Sequence, residues 1–96
     1  MPASERAFLR CVILRETAST RLIKSKVLDG QEFEATVPYW SVTPFDSPSP
    51  HQDGWLEVEL LGESKIDQKC SIKLPASTVQ FGDHITVNSI QLKKPG

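Results

Sequence analysis

RLIKSKVLDGQEFEATV, residues 21–37, can be folded back on itself in two tight registers, and only one of them separates apolar from charged side chains. A two-residue Asp29-Gly30 turn sets Lys26 against Phe33 and Val27 against Glu32, which mixes core with solvent on each face. A three-residue Leu28-Asp29-Gly30 loop instead sets Lys26 against Glu32 and Lys24 against Glu34. Ile23, Ser25 and Val27 then share a face with Phe33, Ala35 and Val37. A slip of one residue inverts every side chain, so the three-residue register is the expected one. It places Gly30 in the left-handed position of a type I turn with a G1 bulge, which glycine adopts without steric cost. Each cross-strand ion pair is worth only about 0.2–1 kcal/mol, but together they choose the register.

The rest of the chain is written in the same way. No stretch repeats apolar residues at i, i+3, i+4 and i+7 over eleven positions. Short runs rich in Val, Ile, Leu and Thr are broken instead by Gly, Pro, Asp and Ser, the pattern of a small all-β domain. AFLRCVILRE (7–16) is apolar on both faces near its middle, as a central or strongly curved strand is. WLEVELLG (55–62) and CSIKLP (70–75) alternate cleanly. If Val58 faces Ile72, their pairing sets Glu57 opposite Lys73. In FGDHITVNSIQL the apolar parity changes at Asn88-Ser89, which predicts a bulge or bend. PASTVQF has room for one helical or 3₁₀ turn. Five to six mostly antiparallel strands in a single domain spanning 1–96 fit a small barrel of the OB or SH3 kind, because closure removes exposed edges; a β-sandwich is the alternative. FGDHITV resembles the Gly-Asp strand entry common in such barrels, including those of translation and replication proteins.

Composition narrows the function classes. At 96 residues the chain has the length of one domain and room for a small core. It has no run of eighteen apolar residues, so no membrane-spanning helix is expected. MPASERAFLRCVIL lacks the features of a signal peptide, because Arg10 interrupts its apolar run. Cytoplasmic location is therefore the expectation, and it suits two cysteines, Cys11 and Cys70, that sit inside apolar runs as buried free thiols. The net charge of −1 is unevenly spread: residues 1–28 carry six basic and two acidic side chains, residues 29–63 eight acidic and no basic ones. The hairpin register matches Lys24 and Lys26 with acids, which leaves Arg6, Arg10, Arg15 and Arg21 as the candidate basic patch.

Motifs for catalysis and metal binding are weak. Cys11, Cys70, His51 and His84 lack the C-x₂-C or H-x₃-H pairing of structural zinc. Ser47, Ser49, His51 and Asp53 include the residue types of a hydrolytic triad, but a proline-rich loop supplies no rigid nucleophile or oxyanion hole. No G-x-S-x-G, P-loop or G-x-G-x-x-G occurs. The expected protein is not an enzyme and carries no metal or cofactor.

The remaining feature is PYWSVTPFDSPSPHQDGW, residues 38–55, which spans a long Pro/aromatic loop at about 38–54. A long loop in so small a domain is often functional. The segment PYW is expected to pack as a continuation of the third strand, although for Trp40 itself a packed and an exposed position stand even. Trp55, opening a strand, is expected to act as a strap, and Phe45 to be the most exposed aromatic. The leading expectation is a small binding or accessory module that engages a protein through Tyr39, Trp40 and Phe45 or through an open sheet edge. The alternative is an OB-type domain that binds single-stranded nucleic acid with Arg10, Arg15, Arg21, Tyr39 and Trp40. A sequence pI near 6.1 disfavours that alternative, since phosphate contact calls for a basic face. Assembly of copies through the apolar 8–14 segment is a further possibility.

Overall fold

The hairpin adopts the register its charges require. The computed structural model describes residues 5–45, 52–78 and 80–94. Its strands are β1 (Glu5–Glu16), β2 (Thr20–Lys26), β3 (Glu32–Pro38), β4 (Val42–Pro44), β5 (Asp53–Ser64), β6 (Lys69–Thr78), β7 (Gly82–Asn88) and β8 (Leu92–Lys93). In the β2–β3 hairpin Lys26 lies opposite Glu32, Lys24 opposite Glu34 and Ile23 opposite Ala35. Gly30 has φ +91°, and the loop closes with Gly30 N–H donating to the Val27 carbonyl at 3.0 Å. The ion pair that forms is the diagonal one, Lys24 to Glu32 at 3.4 Å.

The strands make one curled antiparallel sheet, a half-barrel, in the order β3-β2-β1-β5-β6-β7. This is the small all-β fold expected. Six strands form the main path, and two very short ones attach beside it, β4 to β5 and β8 to β1. β1 can hold the centre because it changes partners along its length. Residues Glu5–Val12 pair with β5, and Val12–Glu16 pair with β2, with a register shift between Ile13 and Arg15. The inward parity of every long strand supplies the core: Leu9, Ile23, Phe33, Val37, Leu56, Ile72 and Val87 are all essentially inaccessible. Burial of each such side chain stabilises the fold by about 1.5–3 kcal/mol.

The two ends of the path, β3 and β7, do not pair as strands. The β2–β3 hairpin is joined to the β7 end of the sheet by contacts of another kind, and β3 itself runs close to β6. Leu28 N–H of the hairpin loop donates to Thr86 O of β7 at 2.8 Å, and Gln91 Nε2 donates to Lys26 O at 2.9 Å. Beneath these, Phe33 meets Phe81 edge-on, with ring centroids 6.4 Å apart.

Three local expectations need correction. Lys73 lies opposite Glu59, not Glu57. Side-chain parity is unchanged by a shift of two residues, so alternation could not choose between them; the turn between Ser64 and Lys69, with Gln68 at φ 56°, and the register shift between Leu60 and Gly62 together do. The PAST segment is not a helical turn but the end of β6, its Thr78 side chain accepting from Phe81 N–H at 2.9 Å. The parity change at Asn88 is produced by a 3₁₀ turn, Ser89–Gln91, with a capping box formed by Asn88 and Gln91. That turn sends Leu92 back to pair with Leu9.

Candidate partner-binding site

As β3 ends at Pro38 the chain winds into one 3₁₀ turn, Tyr39–Ser41, before β4 begins. Proline explains the exit, since it offers no N–H for a further ladder bond. Four contacts fix the turn. Tyr39 N–H donates to Ser19 O at 2.9 Å, and Ser41 Oγ donates to Pro38 O at 2.6 Å. Arg21 Nη1 donates to Tyr39 O at 3.3 Å and also to Val42 O. That guanidinium lies over the Tyr39 ring, its carbon 3.8 Å from the ring centroid.

Arg21 is therefore a clamp, only 5% exposed. Its Nε stands 3.3 Å from Glu16, an ion pair that lacks hydrogen-bond geometry. The sequence contained the signal for this inward position. Arg21 has the parity of Ile23 and Ser25 in the hairpin, and it lies opposite buried Val37. An arginine on a core face has to find acceptors there, because a buried donor without one costs about 1–3 kcal/mol or more.

On the turn so held, Trp40 projects outward, 70% exposed. It forms one wall of a groove of about 550 Å³. The groove exists because β5 changes neighbours here. β4 pairs with β5 as far as Leu56, and β6 takes over at Glu59. Glu57 and Val58 have β1 on one side and no strand partner on the other. β6 leaves both neighbours after Lys73, and its ladder resumes only at Thr78. Pro75 and Ala76 line the groove with Trp40, as do Arg6, Glu57 and Glu59.

The other aromatics of the loop are committed. Phe45 is half-buried and tilts against Trp55, centroids 5.1 Å apart. Arg10 covers the Phe45 ring at 5.7 Å and Lys93 covers Trp55 at 5.6 Å. Trp55 is the half-buried strap expected of it. Phe45, expected to be the most exposed aromatic, is half-buried, and Trp40, for which a packed and an exposed position stand even in the sequence, is the exposed one. Phe45, directly after β4, finds an aromatic neighbour in Trp55 of β5, whereas Trp40 lies before the first residue of β4 and has no aromatic neighbour among the described residues.

The candidate arginines do not converge on one face. Arg10 pairs with Asp53 at 3.8 Å, Arg21 is buried, and Arg6 holds Glu57 at 2.8 Å. Among the described residues Arg15 has no carboxylate within ion-pair distance. Of the loop residues considered for catalysis, Ser47, Ser49 and His51 lie outside the described residues. Asp53 sits at the start of β5 beside Arg10. No cluster of His, Cys, Asp and Glu suited to a metal ion occurs among the described residues. No helix among them is long and apolar enough to cross a membrane.

Both cysteines are buried, free thiols. Burial pushes the Cys11 thiol up from 9.0 to about 12, with Asp53 adding to the effect. Burial likewise raises Cys70, helped by Glu63. A thiol is reactive only as thiolate. The native protein at pH 8 is expected to give no fast reaction with a disulfide reagent, and two equivalents only once unfolded; rapid native labelling would contradict this packing. By linkage, the raised Cys11 value favours the folded state fully below pH 9 and progressively less as pH climbs towards 12.

Compared with protein-family models, with curated proteins and with solved structures, the chain matches none.

Proposed function

We propose that this domain is a non-enzymatic binding module that engages a protein partner through Trp40 and the groove beside it. The observation that carries the reading is a tryptophan 70% exposed on a turn that is fixed from below by Arg21. Tryptophan is enriched among the residues that dominate interface energies, and a pre-ordered anchor loses little entropy on binding. Two aliphatic residues are more exposed, Ile66 at 95% and Ile90 at 81%. They sit singly on turns, where isolated apolar exposure is ordinary.

The alternative, an OB-like barrel that binds single-stranded nucleic acid, draws less support. It relies on Arg10, Arg15 and Arg21 beside Tyr39 and Trp40. Arg21 is buried, its guanidinium already stacked on Tyr39, and Arg10 is shared between Asp53 and Phe45. A stacking platform also needs a basic groove along the strand backbone, and in the Trp40 groove carboxylates outnumber cations, Glu5, Glu57, Glu59 and Asp83 against Arg6 and Lys73.

A photo-crosslinking amino acid placed at position 40 tests the reading. In an extract of the source cells it is expected to give a discrete protein adduct, identified by mass spectrometry, which the same group at position 66 does not give. Adducts at 66 alone, or adducts at 40 only with nucleic acid, would overturn it.

A further inference from the structure

The aromatics of the 38–55 segment follow a rule that Trp40 alone does not meet. Tyr39 has Arg21 on its ring, Phe45 has Arg10, and Trp55 has Lys93. Among the described residues Trp40 has no cation against it, although indole is the best of these rings for one. The charge beside it is complementary to a cation. Glu5, Glu57, Glu59 and Asp83 face the groove against Arg6 and Lys73. Arg6 is engaged with Glu57 and Asp83 with His84. Glu59 lies across from Lys73 in the ladder, and no ion pair joins them among the described residues. Glu5 lies at the start of β1 and is exposed.

The backbone around the groove is suited to an extended chain. Among the described residues β5 has no register partner on its second side at Glu57 and Val58, and the β6–β7 ladder is interrupted from Leu74 to Ser77, while β6 as a whole keeps the neighbourhood of β3. A short strand laid there would gain main-chain hydrogen bonds, the usual source of affinity in strand addition, while side-chain pockets select the sequence. Pro75 narrows the possible pairing, since it donates nothing.

We propose that this groove takes an extended, cationic peptide segment, one lysine or arginine of which lies on the Trp40 indole between Glu5 and Glu59. The inference rests on the reading of Trp40 as a partner surface and names the chemistry of the partner.

The test is an NMR titration of the ¹⁵N-labelled protein with two synthetic hexapeptides, acetyl-Thr-Val-Lys-Val-Thr-Lys-amide and its counterpart with glutamate for lysine. The basic peptide is expected to move the Trp40 indole and the amides of Glu57, Val58, Ala76 and Ser77. It should bind about ten times more tightly than the acidic one, and the preference should shrink as salt screens the rim. Trp40→Ala, at an exposed position that folding does not need, is expected to abolish the shifts. Glu59→Gln with Glu5→Gln is expected to erase most of the charge preference. Equal binding of both peptides at Trp40 overturns the cationic partner and leaves a partner site in place. Silence of both peptides while position 40 still cross-links a protein overturns the extended segment alone. Silence of both peptides and no adduct at position 40 overturns this inference and the functional reading together.

Discussion

Phe33→Ala is expected to destabilise the domain by about 3–5 kcal/mol, the largest single-residue effect foreseen, because the loss combines transfer free energy with an unfilled cavity. Phe33 is 1% exposed and is the largest fully buried side chain. Its position makes the cavity hard to close. β3 has a ladder with β2 alone, although it also runs close to β6, and the Phe33 ring rests edge-on against Phe81. Removing the ring takes away the apolar contact where the half-barrel lacks a ladder. The Leu28–Thr86 hydrogen bond, its neighbour from Gln91 and the approach of β3 to β6 remain. For a domain of 96 residues each kcal/mol lowers Tm by roughly 4–8 °C. Urea unfolding of Phe33→Ala should therefore show a midpoint far below that of the unaltered protein with little change of slope. A loss under about 1 kcal/mol would mean that the ring does not plug the sheet, since such values are typical of surface sites.

The second large effect concerns Arg21. Arg21→Met keeps much of the stem and removes the guanidinium. Two carbonyls, of Tyr39 and Val42, then lose a charged donor, and Tyr39 loses the cation beneath its ring. Hydrogen bonds to charged groups contribute about 1.5–3 kcal/mol. Relief of the buried charge offsets part of this, as replacing buried ions by apolar groups often does. The Glu16 pair adds little, because that carboxylate is well exposed to solvent. The net expectation is a loss of about 2 kcal/mol. The more telling result is local: the 39–41 turn should gain fast backbone motion, read from heteronuclear NOEs, while β1 and β5 keep theirs. Arg21→Lys should rescue the turn only in part, because an ammonium cannot bridge two carbonyls as a planar fork does. An unchanged turn in Arg21→Met would show that Ser41 and Ser19 suffice to hold it.

Much of this architecture was readable from the residues. The hairpin register followed from Lys24, Lys26, Glu32, Glu34 and the parity of Phe33. The alternation of Leu56, Val58 and Leu60, and of Cys70, Ile72 and Leu74, marked two strands with buried inner faces. What alternation cannot encode is an offset of two, so Lys73 was assigned to Glu57 and stands opposite Glu59. Short additions such as β4 and β8 were also hidden, because three residues and two residues carry no period. The candidate site was half legible. Tyr39 and Trp40 were singled out from composition, and the inward parity of Arg21 was present in the hairpin without being used. The groove was not legible at all. It arises where β4 begins, the β6 ladder is interrupted and β5 is left with one neighbour, and it joins Glu5 to Asp83 across 78 residues of chain.

A preformed anchor requires Trp40 to be both exposed and held still, and the two indole N–H groups allow that to be measured directly. Solvent exchange of the Trp40 and Trp55 indoles, with the heteronuclear NOE of the Trp40 backbone amide, is the decisive measurement. The predicted result is fast exchange at Trp40, slower exchange at Trp55 beneath Phe45 and Lys93, and a Trp40 amide as rigid as those of β5. A protected Trp40 indole, or a mobile Trp40 backbone, would contradict the proposal that this turn presents a preformed anchor to a partner.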